Sequence, residues 1–293
     1  MFIRIIEIIF PIVAIVMAGV VYGRLRRPDM QVANEVNLHV FIPCLVFSAI
    51  IQQPLHAVLD LPLLTAAILM HLLPAILIMP IIRLSGRPAR TLLPPAVFAN
   101  AGNLGLPLFV FAFGQVALAP AVVLFMVMNI LQFTAGVRFL DRDIRWFRVA
   151  TQPIVIAALL AIAYQLVGLR IDDNLLMPVV MLGQVAVPLM LFTLGIALAG
   201  AYFSAWRLGL WYGALVVPAV GIIAAVLILL ILPLSDLQQR MLILYGALPP
   251  AVMTFIFAQR YNQEPDQVAA IVMIGNMLSV LVIPVVLFFV LSA

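Results

Sequence analysis

The chain has 293 residues, 66% of them hydrophobic and 9% charged, with a mean hydropathy of +1.26. Soluble domains run at ~45–50% apolar and ~25% charged residues, so this composition excludes a soluble enzyme and indicates an integral membrane protein. The net charge of +4 does not point to nucleic acid, because every basic residue is Arg and the arginines cluster between apolar runs.

The apolar runs continue for ~20 residues without the period-two alternation of an outer-membrane barrel. They predict an all-α integral membrane fold of ten transmembrane helices, at 7–23, 34–51, 62–82, 92–113, 118–138, 150–168, 175–199, 207–232, 240–258 and 267–290. The first run has the look of a signal peptide but lacks a small-residue cleavage site, so it reads as a retained span. The connections after spans one, three, five, seven and nine hold most of the arginines: Arg24, Arg26, Arg27, Arg83, Arg87, Arg90, Arg138, Arg142, Arg145, Arg148, Arg207 and Arg260. Only Arg4, Arg170 and Arg240 fall on the other side. Cytoplasmic loops retain positive charge, so both termini are expected outside. The run DRDIRWFR, Asp141 to Arg148, reads as a topology-setting loop, with lipid binding as the alternative.

In span one, Glu7 is expected at the outer interface. Span two carries the single cysteine, Cys44, which has no intramolecular disulfide partner and implies no redox compartment. The acidic residues all fall at span ends or in loops, leaving His39 in span two and His71 in span three as candidates for carrying a coupling proton, against a purely structural role. Sodium held by backbone carbonyls leaves no sequence signature, so sodium coupling and uncoupled movement both stay open.

Span four contains FANAGNLGLPLF, Phe98 to Phe109, and span nine contains YGALPPAVMTFIFA, Tyr245 to Ala258. Pro107, Pro249 and Pro250 each remove a donor and clash with the preceding turn, while Gly102, Gly105 and Gly246 permit non-helical backbone. Broken backbone at this depth must be buried in protein or line a cavity. Two broken helices meeting near the midplane would present half-helix N-termini suited to an anion; the alternative is a pair of ordinary proline kinks. The expected substrate-binding set is Asn100, Gly102, Asn103, Gly105, Pro107, Leu248, Pro249 and Pro250, joined by Asn129 and Asn276 from spans five and ten. Buried amides must be paired, so these Asn residues either bind ligand or tie helices together. Gln132, Gln184, Thr193 and Ser279 are expected to hydrogen-bond between helices.

The second half repeats the first. Pro11 and Tyr22 align with Pro153 and Tyr164, Pro43 and Phe47 with Pro188 and Phe192, and Asn129 with Asn276, all at a nearly constant offset. With five spans per half, the second repeat enters the membrane from the opposite side, which is the inverted architecture of alternating-access transporters. The expected division is 1–140 and 141–293.

The runs ANAGNLGLPLFVFAFG, GALPPAVMTFIFAQRYNQEPDQVAA and NEVNLHVFIPCLVFSAI resemble the auxin efflux carrier family of the bile/arsenite/riboflavin transporter superfamily, in a bacterial form, over essentially the whole chain. The resemblance implies a scaffold of spans 1, 2, 6 and 7, a moving domain of spans 3–5 and 8–10, a substrate site where spans four and nine cross, and elevator-type transport in a bacterial inner membrane. Asn100 stands seven residues before Pro107, as in the plant relatives. Leu248 and Pro249 match the start of their ninth-span motif, but Thr254 replaces its second Pro, and Met253 stands where many bacterial relatives carry a polar residue.

No enzyme motif occurs, and neither cofactor nor bound metal is expected. The expected function is secondary or facilitative transport of an organic anion, either a small carboxylate such as malate or malonate or an auxin-like aromatic carboxylate. The expected partners are that anion, a coupling proton or sodium, membrane lipid, and a second copy docked through the scaffold helices, with no nucleic acid. A sodium-coupled bile-acid-type symporter is the alternative of the same class; a channel-like pore or membrane sensor is the alternative of another.

Overall fold

The computed structural model describes residues 2–53, 60–141, 152–168, 171–200 and 205–292. Arg142, Arg145, Arg148 and Arg170, used above for topology, lie outside the described residues. Among the described residues twelve helices follow in chain order: α1 (Phe2–Arg26), α2 (Gln31–Ile51), α3 (Leu61–Ser85), α4 (Ala89–Val97), α5 (Ala101–Phe113), α6 (Gln115–Leu140), α7 (Pro153–Leu166), α8 (Asp173–Ala199), α9 (Trp206–Leu229), α10 (Asp236–Gly246), α11 (Val252–Arg260) and α12 (Pro265–Ser292). Seven of them, α1, α2, α3, α6, α8, α9 and α12, are long and apolar enough to cross a membrane, and α5 and α7 are shorter apolar helices. The chain is an all-α, multi-pass membrane protein. The expected spans 92–113 and 240–258 are each divided, between α4 and α5 and between α10 and α11.

Helix ends carry local signals. Asp60 caps α3 by accepting from the Leu63 N–H at 3.1 Å, and Gly86, at φ 67°, ends that helix. Ser235 and Gln238 form a capping box at the start of α10. Among the described residues, four stretches are wound as π-helix: Asn37–Phe41 in α2, Ala101–Gly105 in α5, Gln132–Gly136 in α6 and Gly209–Val216 in α9. Three of them end two residues before a proline, namely Pro43, Pro107 and Pro218. Proline lacks the N–H that would reach four residues back, and a π-turn re-pairs the displaced carbonyls by inserting one residue.

The helices pack in two groups. α1 lies along α8, and α2 packs on both α7 and α8. In the second group α3 packs on α4, α6 and α9, while α9 packs on α10 and α12. The α1–α8 pair is close because it meets through small residues. A Cβ at Gly19 would fall 2.1 Å from the Phe192 carbonyl oxygen, and one at Gly195 would fall 2.0 Å from that of Val16. Two polar clasps hold the second group at its ends. Gln238 Nε2 donates to Asp60 Oδ2 at 2.7 Å, joining α10 to α3. At the Arg-bearing end Thr91 Oγ1 donates to Glu264 Oε2 at 2.6 Å and Arg87 donates to Gln267 Oε1.

Candidate functional site

The two interruptions meet. After α4, Phe98 and Asn100 leave the helical region, with ψ of 105° and 57°; before α11, Ala251 is extended at ψ 134°. The segments run antiparallel. The Asn100 N–H donates to the Pro249 carbonyl at 2.7 Å and the Ala251 N–H donates to the Phe98 carbonyl at 2.8 Å. Pro249 and Pro250 offer carbonyls but no N–H groups, so donors must come from elsewhere. Asn276, on α12, supplies one: its Nδ2 donates to the Pro250 carbonyl at 2.9 Å and to the Val272 carbonyl at 2.8 Å, while its Oδ1 accepts from Asn100 Nδ2 at 2.6 Å. Both amides are buried, so one Asn–Asn pair ties both breaks to α12.

A cavity of about 410 Å³ lies beside this crossing. Its walls come from α2, α5, α6, α8 and α11, and exposed Gln31, Asn34 and Glu35 at the start of α2 mark its mouth. Those residues directly follow Arg24, Arg26 and Arg27, so the mouth is at the Arg-bearing end. The first N–H groups of a helix lack internal partners. Here those of Gly102 and Asn103 in α5 and of Val252 and Met253 in α11 have no hydrogen-bond partner among the described residues, and all four residues border the cavity. The first turns of two helices, with their unsatisfied donors and positive dipole ends, thus border one space. Among the residues lining it, the charged one is Glu35; the remaining polar lining is amide and hydroxyl.

The expected site residues divide by position. Asn100, Gly102, Asn103 and Asn129 line the cavity. Asn129 holds its own helix through Nδ2 to the Phe125 carbonyl, 2.8 Å. Leu248, Pro249, Pro250 and Asn276 build the crossing rather than the cavity wall, and Gly105 sits where a Cβ would come 2.9 Å from Leu248 Cδ1. Pro107 does not make the break. It lies inside α5, two residues beyond the π-stretch that absorbs its missing N–H, and is buried away from the cavity. The two histidines differ. His39 is exposed, with Nδ1 2.8 Å from the Glu35 carbonyl. His71 is buried behind the crossing, its ring beside Phe98. His71 Nδ1 is 2.7 Å from the Ala67 carbonyl, which can only accept, so Nδ1 carries the hydrogen; in the neutral ring Nε2 then accepts from the Tyr245 hydroxyl at 3.3 Å.

Among the described residues, the expected inter-helix hydrogen bonds of Gln132, Gln184, Thr193 and Ser279 are not formed. Thr193 and Ser279 donate to carbonyls of their own helices, Met190 and Asn276. Gln184 is exposed, and Gln132 Nε2 is buried without a partner. In-helix carbonyls lie within reach of a short hydroxyl, so it needs no neighbouring helix. Among residues given no site role from the sequence, Asn37 and Glu35 line the cavity and Tyr245 lies in the layer behind it; Met253, singled out above as a departure from the bacterial relatives, lines the cavity too. One signal could have pointed to the crossing from the first half: the pentapeptide LPPAV occurs at 93–97, at the end of α4, as well as at 248–252. Among the described residues no group of three His, Cys, Asp or Glu is placed to hold a metal ion.

Residues 140–287, just over half of the chain, match the family described as membrane transport protein. The chain belongs to this family, the auxin efflux carriers. The matched part runs from the end of α6 through most of α12 and so contains the second break. A relative from Methanocaldococcus jannaschii, named as an uncharacterized transporter, is 24% identical over 307 aligned positions, covering 94% of this chain and 96% of the relative. That alignment takes in both breaks of this membrane transport protein and both groups of helices.

Proposed function

We propose that the chain is a secondary or facilitative carrier of an organic anion, bound where the two interrupted helices cross. The observation that carries this reading is the convergence of the Gly102, Asn103, Val252 and Met253 N–H groups on one cavity. Such a site has donors for a carboxylate but no fixed cation, which suits binding weak enough for release. The packing pattern supports two inverted five-span repeats, 1–140 and 141–293. Exchanging the halves exchanges the α1–α8 pair with the α7–α2 pair, and the α3–α6 pair with the α9–α12 pair. In this reading α1, α2, α7 and α8 are the scaffold, and α3–α6 with α9–α12 move past it as an elevator in a bacterial inner membrane. Both termini are outside, so the cavity opens to the cytoplasm. The scaffold exposes Leu159, Leu160, Met177 and Met181, an apolar surface for lipid or a second copy.

The test is counterflow in proteoliposomes. Saturable exchange of a labelled organic anion is expected, reduced at least about tenfold in Asn100→Ala, which loses the bond to Asn276 as well as a cavity wall. Parent-like exchange in a correctly inserted Asn100→Ala protein rejects the crossing as the site, and conductance without saturation rejects the carrier. Imposing proton and sodium gradients in turn identifies the coupling ion, or shows that movement is uncoupled.

A further inference from the structure

We propose that Asn37 and Gln132 form a second, uncharged subsite in the cavity, which takes a donor-and-acceptor group of the transported anion such as a hydroxyl or primary amide. This rests on the carrier reading above and narrows its substrate class.

Among the described residues, Asn37 Oδ1 and Gln132 Nε2 are buried side-chain atoms without a hydrogen-bond partner. Asn37 is 4% exposed and Gln132 2%. Buried polar atoms are nearly always paired, because each gives up the hydrogen bonds it had with water. The neighbouring polar side chains obey that rule through their own helices: Asn129 bonds to Phe125, and Thr193 to Met190. The two exceptions border the same cavity, on α2 and α6, whereas the free N–H groups come from α5 and α11. Each is also the first residue of a π-helical stretch. Proline accounts for the winding in α2 but not in α6, where none follows; π-turns are frequent at functional sites because they re-aim a side chain.

The chemistry is complementary in one specific way. Both atoms are turned out of reach of the cavity as placed, so a ligand meets them once the two amides turn toward it; one is then an acceptor and the other a donor, and a hydroxyl can donate to Asn37 Oδ1 and accept from Gln132 Nε2, as can a primary amide. A second carboxylate would find no cation, and would meet Glu35 at the mouth. The favoured substrate is therefore a monocarboxylate with a neutral polar group at its far end, in preference to a dicarboxylate. A cavity of about 410 Å³ is of small-ligand size.

Thermal-shift titration of the purified full chain in detergent, with butyrate, 4-hydroxybutyrate, succinamate, succinate and 1,4-butanediol and their three- and six-carbon homologues, tests the assignment. The hydroxy acid and the amide acid are expected to bind at least about tenfold more tightly than the plain acid, with the dianion weaker than both. In Asn37→Leu and Gln132→Leu that ratio falls to about one. Equal binding of plain and hydroxy acids to the parent protein overturns the subsite while leaving the anion site standing. A ratio that persists in both variants overturns the assignment of these residues. Binding of the diol as tight as that of the hydroxy acid overturns the anion site and leaves the subsite. No shift with any member overturns both. If a leucine variant fails to melt cooperatively, the comparison of plain with hydroxy acid on the parent protein decides alone.

Discussion

Asn276 joins three parts of the molecule through one amide: the first break by way of Asn100, the Pro250 carbonyl of the second, and α12 itself. Replacing it by Leu strands the Pro250 carbonyl and Asn100 Nδ2 in a buried place, at a cost of about 1–3 kcal/mol. Its melting temperature in detergent should fall well below the parent's; an unchanged value would mean that water or a neighbour takes over the bonds. Tyr245→Phe removes the donor to His71 Nε2 and is expected to cost about 1 kcal/mol by the same measurement. At this scale the sequence was informative where polarity was out of place. Asn100, Asn103, Asn129 and Asn276 stand out in apolar runs, and all are found at the crossing or on the cavity. Asn37 did not stand out, since it lies in NEVNLH near a span start, where polar residues are ordinary. The His71–Tyr245 contact spans 174 positions and leaves no local trace.

Prolines and glycines say where an element is unusual but not what it becomes. Pro107 marks a π-stretch, whereas Pro249 and Pro250 mark a true break. LPPAV ends a helix at 93–97 and interrupts one at 248–252, because the second copy faces an extended Phe98–Asn100 segment that accepts and donates across the gap. Local sequence alone does not contain that partner. The paired glycines of α1 and α8 were equally silent, since their meaning lies in the approach of two distant helices. Gly195→Leu would drive a side chain into the Val16 carbonyl and should cost about 3 kcal/mol. Recovery of a monodisperse variant that melts like the parent would show that α1 and α8 can move apart at little cost.

Across the whole molecule, the proposed repeat would exchange the packing of α1 on α8 for that of α7 on α2. The clasps Asp60–Gln238 and Thr91–Glu264 bind α3–α4 to α10 and α12 at opposite ends, which suits a body that travels as a unit. A disulfide between Asp60→Cys and Gln238→Cys, in a Cys44→Ser background, should therefore leave transport intact; loss of transport on oxidation, restored by reduction, would show that these elements must part during the cycle. The Ala99–Pro250 bridge also bears on how the chain is made. By their numbers Asn100 and Pro249 are 149 residues apart, a length that takes roughly 7–30 s to synthesise at ~5–20 residues/s. For that interval the Phe98 carbonyl and Asn100 N–H have emerged from the ribosome without their mates. A hydrocarbon surrounding offers such groups nothing to bond. The α4–α5 segment must therefore wait in a sheltered or hydrated place, beside the insertion machinery or a holding chaperone, until the later half arrives to complete it.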